Sequence, residues 1–206
     1  MIKRILSGRF RIPLPVFAVL AMLIVLMVGL AGNEADPYRL KFTVVGNAAY
    51  GTGFTDSRSV GVVRDLVAAH PEVDTLVLGQ MPGTTDVDMN RRIARRIRAE
   101  GLNTHVPANG YIASGAVDLF LAGVRRTVEC GARIGVHSWG SPLGFQPSDG
   151  IRDDQRPRQR RLLQELGIHP DFYDFTVQAA GADELYVLTA SDMLRWGVVT
   201  EDPGCG

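Results

Sequence analysis

The feature that most constrains this chain is an uncharged apolar run near its beginning. Residues 12–32 hold no Asp, Glu, Lys or Arg and are dominated by Leu, Val, Ile, Met, Phe and Ala, directly after Lys3, Arg4, Arg9 and Arg11. At about 1.5 Å of helical rise per residue, roughly twenty such residues span a ~30 Å hydrocarbon core. The basic flank before the run, and Asn33, Glu34 and Asp36 after it, put the N-terminus in the cytoplasm by the positive-inside rule. The rest of the chain is then expected outside the cytoplasm. Gly29, Leu30 and Ala31 also resemble the small-x-small end of a secretory signal. Residues 1–32 are therefore either a retained inner-membrane anchor, contacting the membrane through residues 12–32, or a cleaved signal that leaves a periplasmic domain.

That location bears on Cys130 and Cys205, the two cysteines of the 206-residue chain. In an extracytoplasmic compartment they can pair and staple the tail to the domain body, or they are two unrelated thiols. Charge is uninformative about partners: 22 basic and 22 acidic residues cancel, so nothing points to nucleic acid. His70 and His169 precede prolines and His105 sits on a short strand, with no paired ligand spacing, so neither a metal site nor a cofactor is expected.

After a linker at 33–39, residues 40–206 read as one α/β domain in which strands alternate with helices. The pattern predicts a strand at 40–46, a glycine-rich turn at 46–53, a helix at 57–69 and a strand at 74–79. A helix at 86–100, capped by Thr84 or Thr85, leads to strands at 103–107 and 132–138 with a helix at 114–123 between them. Such β-α-β repetition implies parallel pairing and right-handed crossovers. A Gly-, Pro- and Ser-rich excursion comes next at 140–157, then helices at 158–167, 170–180 and 191–196. On the 86–100 helix, Arg91, Arg92, Arg95, Arg96 and Arg98 are expected to form a solvated face over an apolar stripe of Val87, Met89, Ile93, Ala94 and Ile97, the alternative being contact with anionic lipid or nucleic acid.

The stretch with most chemical content is Gly110-Tyr-Ile-Ala-Ser114-Gly-Ala, a small-residue turn from a strand into an apolar helix. A serine there is either an N-cap or a nucleophile beside backbone N–H groups that can stabilise an oxyanion. A nucleophilic serine needs a base, and His137 ends the strand that begins Ala132-Arg-Ile-Gly-Val.

Together these segments resemble the core of the Clp-type proteolytic subunit family and its exported relatives with the crotonase fold. The resemblance implies that Ser114 is the nucleophile and His137 the general base. It extends upstream to Leu76-Val-Leu-Gly-Gln-Met-Pro-Gly83-Thr84, where the family has a Ser-Pro-Gly-Gly turn, and implies an oxyanion hole from Gly83 or Thr84 with Gly115. Thr84 replaces the second glycine of that turn and is poorly suited to it if the turn requires a positive φ there. Downstream, Leu188-Thr-Ala-Ser-Asp-Met-Leu-Arg-Trp-Gly resembles the family's closing segment, and the position of the family's aspartate falls on Leu185. Asp183 or Glu184 takes that role only if the register shifts. The implied function is a Clp-like serine peptidase acting on peptides or proteins and self-associating as a homo-oligomer. The alternatives are a catalytically silent exported binding module of the same fold and another crotonase-fold reaction such as thioester chemistry, against which an exported location argues.

Overall fold

The computed structural model describes residues 38–139 and 154–205. The apolar run at 12–32, most of the linker and most of the excursion at 140–157 lie outside the described residues. Among the described residues no helix is long and apolar enough to cross a membrane.

The chain enters through a hairpin of β1 (Lys41–Val45) and β2 (Ala48–Thr52), paired antiparallel from Lys41↔Thr52 to Val45↔Ala48. Only Gly46, at φ 60°, and Asn47 form the connecting turn, a composition suited to the tight turns that match strand twist. The glycine-rich stretch expected to be a turn is therefore mostly a strand. Its Gly51 is covered by the Phe42 ring across the pair, and a Cβ there would meet Phe42 Cε1 at 2.8 Å.

Three further passes each supply one strand to two different sheets. β3 (Thr75–Leu78) continues into β4 (Gln80–Met81), β5 (Asn103–Val106) into β6 (Tyr111–Ala113), and β7 (Arg126–Val128) into β8 (Arg133–Val136). The first sheet has the order β1-β2-β3-β5-β7 and the second β4-β6-β8-β9, with β9 at Tyr186–Val187. Parallel pairing holds from β2 to β7 and from β4 to β8, while β1–β2 and β8–β9 are antiparallel. The expected parallel β-α-β repeat is thus present, with each strand position split between two sheets.

Helices α1 (Ser59–Ala69), α2 (Val87–Ala99) and α3 (Gly115–Leu121) close the repeats, and α4 (Arg156–Glu165), α5 (Phe172–Ala179) and α6 (Ala190–Arg195) come after them. The cap of α2 is Asp86, whose side chain accepts from Met89 N, and neither Thr84 nor Thr85. Thr84 Oγ1 is occupied elsewhere, accepting from Asp86 N at 3.1 Å and lying 3.1 Å from Thr55 O. α3 is the most enclosed helix, burying Ala116, Val117, Leu119, Phe120 and Leu121, so the residue at its start sits at the heart of the domain. The arginines of α2 do not form one solvated face: Arg91 is buried, and Arg98 donates to the carbonyls of Leu121 and Leu166.

The C-terminal segment is tied down twice. Buried Arg126 donates to the carbonyls of Gly123, Gly197 and Val198, and a disulfide joins Cys130 to Cys205.

Candidate active site

Strands β4, β6 and β8 are adjacent and parallel, with registers Met81↔Ile112 and Ala113↔Gly135. Carried past the strand ends, these registers set Gly83 beside Ser114, and Ser114 beside Val136 with His137 next in line. Parallel neighbours lie about 4.8 Å apart, so the turns leaving three strands converge on one place. The contacts agree: a Cβ built on Gly83 would lie 3.2 Å from Ser114 Cβ and 3.6 Å from its Oγ, and Ser114 N donates to Gly135 O at 3.0 Å.

Ser114 has φ 52° and ψ −129°, and is the one non-glycine among the described residues with a positive φ. Such a conformation costs about 1–3 kcal/mol and persists only where its surroundings enforce it. An N-cap serine instead has extended backbone and accepts a hydrogen bond from the first turn of its helix. Ser114 does neither, and its hydroxyl makes no hydrogen bond to a described residue. This is a strained strand-to-helix turn that presents an uncommitted Oγ, the geometry of a nucleophile elbow.

Two glycines keep room around it. Gly83 has φ 144°. Thr84 is outside the left-handed region, so the threonine sits in this turn without the strain a positive φ would bring. Its methyl packs so closely on Gly115 that a Cβ there would stand 2.4 Å from Thr84 Cγ2. Among the described residues, no backbone carbonyl accepts from the N–H of Gly83, Thr84 or Gly115.

His137 lines the same cavity as Ser114, Gly115 and Thr84. Its Nδ1 lies 2.5 Å from Ser138 O. In the neutral ring that contact assigns the proton to Nδ1 and leaves the Nε2 lone pair available as a base. Ser138 is itself pinned, its N donating to Ala180 O at 2.9 Å. On the far side, the pairs Gly135↔Val187 and Val136↔Tyr186 bring Leu185 opposite His137. Asp183 and Glu184 are exposed, do not line the cavity, and Glu184 turns back to within 3.5 Å of Gly181 N. The structure therefore gathers Ser114, His137, Gly83, Thr84 and Gly115, and does not gather Asp183 or Glu184.

The cavity measures about 310 Å³ and is walled by Val87, Val117, Leu163, Phe172 and Trp139, whose indole N–H donates to Tyr173 Oη at 2.9 Å. Its polar side was not legible as a site in the sequence. Arg91 donates through Nε to Gln159, through Nη1 to Asp88 and through Nη2 to Gln155. Asp118 accepts from Gln159 Nε2 at 2.6 Å and Asn90 Nδ2 at 3.0 Å. Enclosure pushes the Asp118 carboxyl up to about 6, against the lowering influence of Gln159, the Arg91 charge and Asn90. The available signal was an Asp four residues after Ser114 in an otherwise apolar helix, since that spacing returns to the same face. Among the described residues no group of His, Cys, Asp and Glu could hold a metal ion.

The paired sheets built from successive β-α-β passes have the ClpP/crotonase fold. No family profile and no curated protein matches the chain. Solved structures do. A ClpP1 variant from Listeria monocytogenes is 18% identical over 76% of this chain and 90% of that one, with a TM-score of 0.54. A variant of the 1510-N membrane-bound stomatin-specific protease is 15% identical over 77% and 80%, at 0.51. A member of the enoyl-CoA hydratase/isomerase family is likewise 15% identical over 82% and 70%, at 0.51. At these identities the likeness concerns the fold.

Proposed function

We propose that the chain is a Clp-like serine peptidase in which Ser114 attacks the scissile carbonyl and His137 is the general base. The observation that carries this reading is the positive φ of Ser114 together with a hydroxyl that caps nothing. Oγ adds to the substrate carbonyl as Nε2 of His137 takes its proton. The oxyanion is met by the N–H of Gly115 and that of Gly83 or Thr84. The resulting imidazolium returns the proton to the leaving amine as the C–N bond breaks, and water then releases the acyl group by the reverse sequence. Ser138 O, rather than a carboxylate, orients the ring. The site is thus a dyad steadied by a backbone carbonyl, which stabilises the imidazolium less than an aspartate and predicts a modest rate.

The same proposal places the domain outside the cytoplasm, tethered through residues 12–32 or released by cleavage, and self-associating. The Cys130–Cys205 disulfide supports an oxidising compartment. The second reading, a silent binding module, is favoured by one observation, the leucine opposite His137.

The test is incubation of the full-length chain, purified in mild detergent, with an unfolded protein such as casein, with new N-termini read by mass spectrometry. Cleavage by wild type and none by Ser114→Ala supports the peptidase. Equal product from both, or none from a folded wild type, supports the binding module.

A further inference from the structure

The two halves of the oxyanion hole come from different parts of the chain, and a buried polar link runs between them. Thr55 and Asn90 are both fully buried. Thr55 N donates to Gly83 O at 3.1 Å, and Thr55 O lies 3.1 Å from Thr84 Oγ1, so this residue grips the Gly83–Thr84 turn through its backbone. Its hydroxyl donates to Asn90 Oδ1 at 2.8 Å. Asn90 Nδ2 in turn donates to Gly115 O at 2.8 Å and to Asp118 Oδ2 at 3.0 Å. Neither side chain lines the cavity, so neither is placed to touch a substrate.

We propose that Thr55 and Asn90 are positioning residues that lock the Gly83–Thr84 turn to the Gly115 peptide, so that the two N–H donors face one oxyanion. The inference rests on the peptidase reading. Its reason is geometric: oxyanion donors act only when held in place before the charge develops, and a donor on a loose turn loses that advantage. Gly115 O, on the Gly115–Ala116 peptide, is held by Asn90, so the link fixes Gly115 from the side opposite its N–H, one Cα away from the donor. Without the Thr55 hydroxyl the buried Asn90 oxygen has no partner among the described residues, and the amide that holds Gly115 O keeps two of its three bonds.

Thr55→Val removes the hydroxyl while keeping the size of the side chain and the backbone bond to Gly83. In the full-length protein its labelling by a fluorophosphonate is expected to fall about tenfold in maximal rate, with reagent affinity unchanged. Thr55→Ser restores the rate. With ¹⁵N-glycine labelling, the Gly115 amide resonance moves in Thr55→Val and not in Thr55→Ser. Asn90→Ser, which shortens the link from its other end, carries the same expectation should Thr55→Val not fold. Wild-type labelling by a folded Thr55→Val, or an unmoved Gly115 amide, overturns the link. If wild type itself is unlabelled, the peptidase reading fails, and the Gly115 amide alone decides whether the link exists.

Discussion

Carried one step past the antiparallel β8–β9 pair, the register sets Leu185 opposite His137, and the Leu185 side chain lies over Gly135, where a Cβ would come within 2.5 Å of Leu185 Cδ2. The position that faces His137 from this strand is therefore hydrocarbon. Leu185 is 39% exposed, so a polar replacement is tolerated. Leu185→Asp is expected to raise serine labelling by about tenfold or more, because a carboxylate there stabilises the imidazolium. An unchanged or lower rate in a folded variant would show that the ring does not face this strand.

Gly115 has no room for a side chain. A Cβ would stand 2.4 Å from Thr84 Cγ2 and 2.8 Å from Thr84 Cβ, atoms at the base of a side chain that cannot swing away. Gly115→Ala is expected to cost about 1–3 kcal/mol of stability through overpacking and to remove labelling of Ser114. Thermal melting and probe labelling check both, and a variant with wild-type values in each contradicts the packing described.

Asp118 gives the domain a pH dependence opposite to that of a salt-bridged carboxylate. Its folded value of about 6 lies above the ordinary 3.8. Between those values the folded state holds a proton that the unfolded chain has released. The group's stabilising contribution is therefore full below pH 3.8 and is lost as pH rises through 6. Part of Asp118 faces the cavity, so the loss is on the order of 1–3 kcal/mol. Urea unfolding across about pH 4–7 should show this slope in wild type and a flatter one in Asp118→Asn; equal slopes would contradict it.

The Cys130–Cys205 disulfide closes a long loop, with a sequence separation of 75. Replacing both cysteines with serine is expected to lower stability by about 2–4 kcal/mol. Reduction of the wild type should do the same. Matching melting curves with and without reductant would argue against the bond.

What the sequence made legible was local. The small-residue turn at Ser114 and the Ala132–His137 strand could be read because each is complete within a few residues, and together they carried the family resemblance. β2 could not be read: Ala-Ala-Tyr-Gly-Thr has little strand character of its own, and pairing with β1 under the Phe42 ring makes it one. Arg91 was indistinguishable from Arg92 or Arg95 until α4 and the residue before it supplied Gln159 and Gln155 as partners. The Thr55–Asn90 bond joins residues 35 apart in sequence, with no periodicity to announce it.

Everything proposed for the site turns on Ser114 being an activated nucleophile with His137 as its base. Fluorophosphonate labelling of the full-length chain in detergent, with the modified residue located by peptide mass spectrometry, probes that pairing without a known substrate. One adduct is predicted, on Ser114, absent in Ser114→Ala and strongly reduced in His137→Ala. A folded wild type with no adduct, or an adduct that persists in His137→Ala at the wild-type rate, would contradict it.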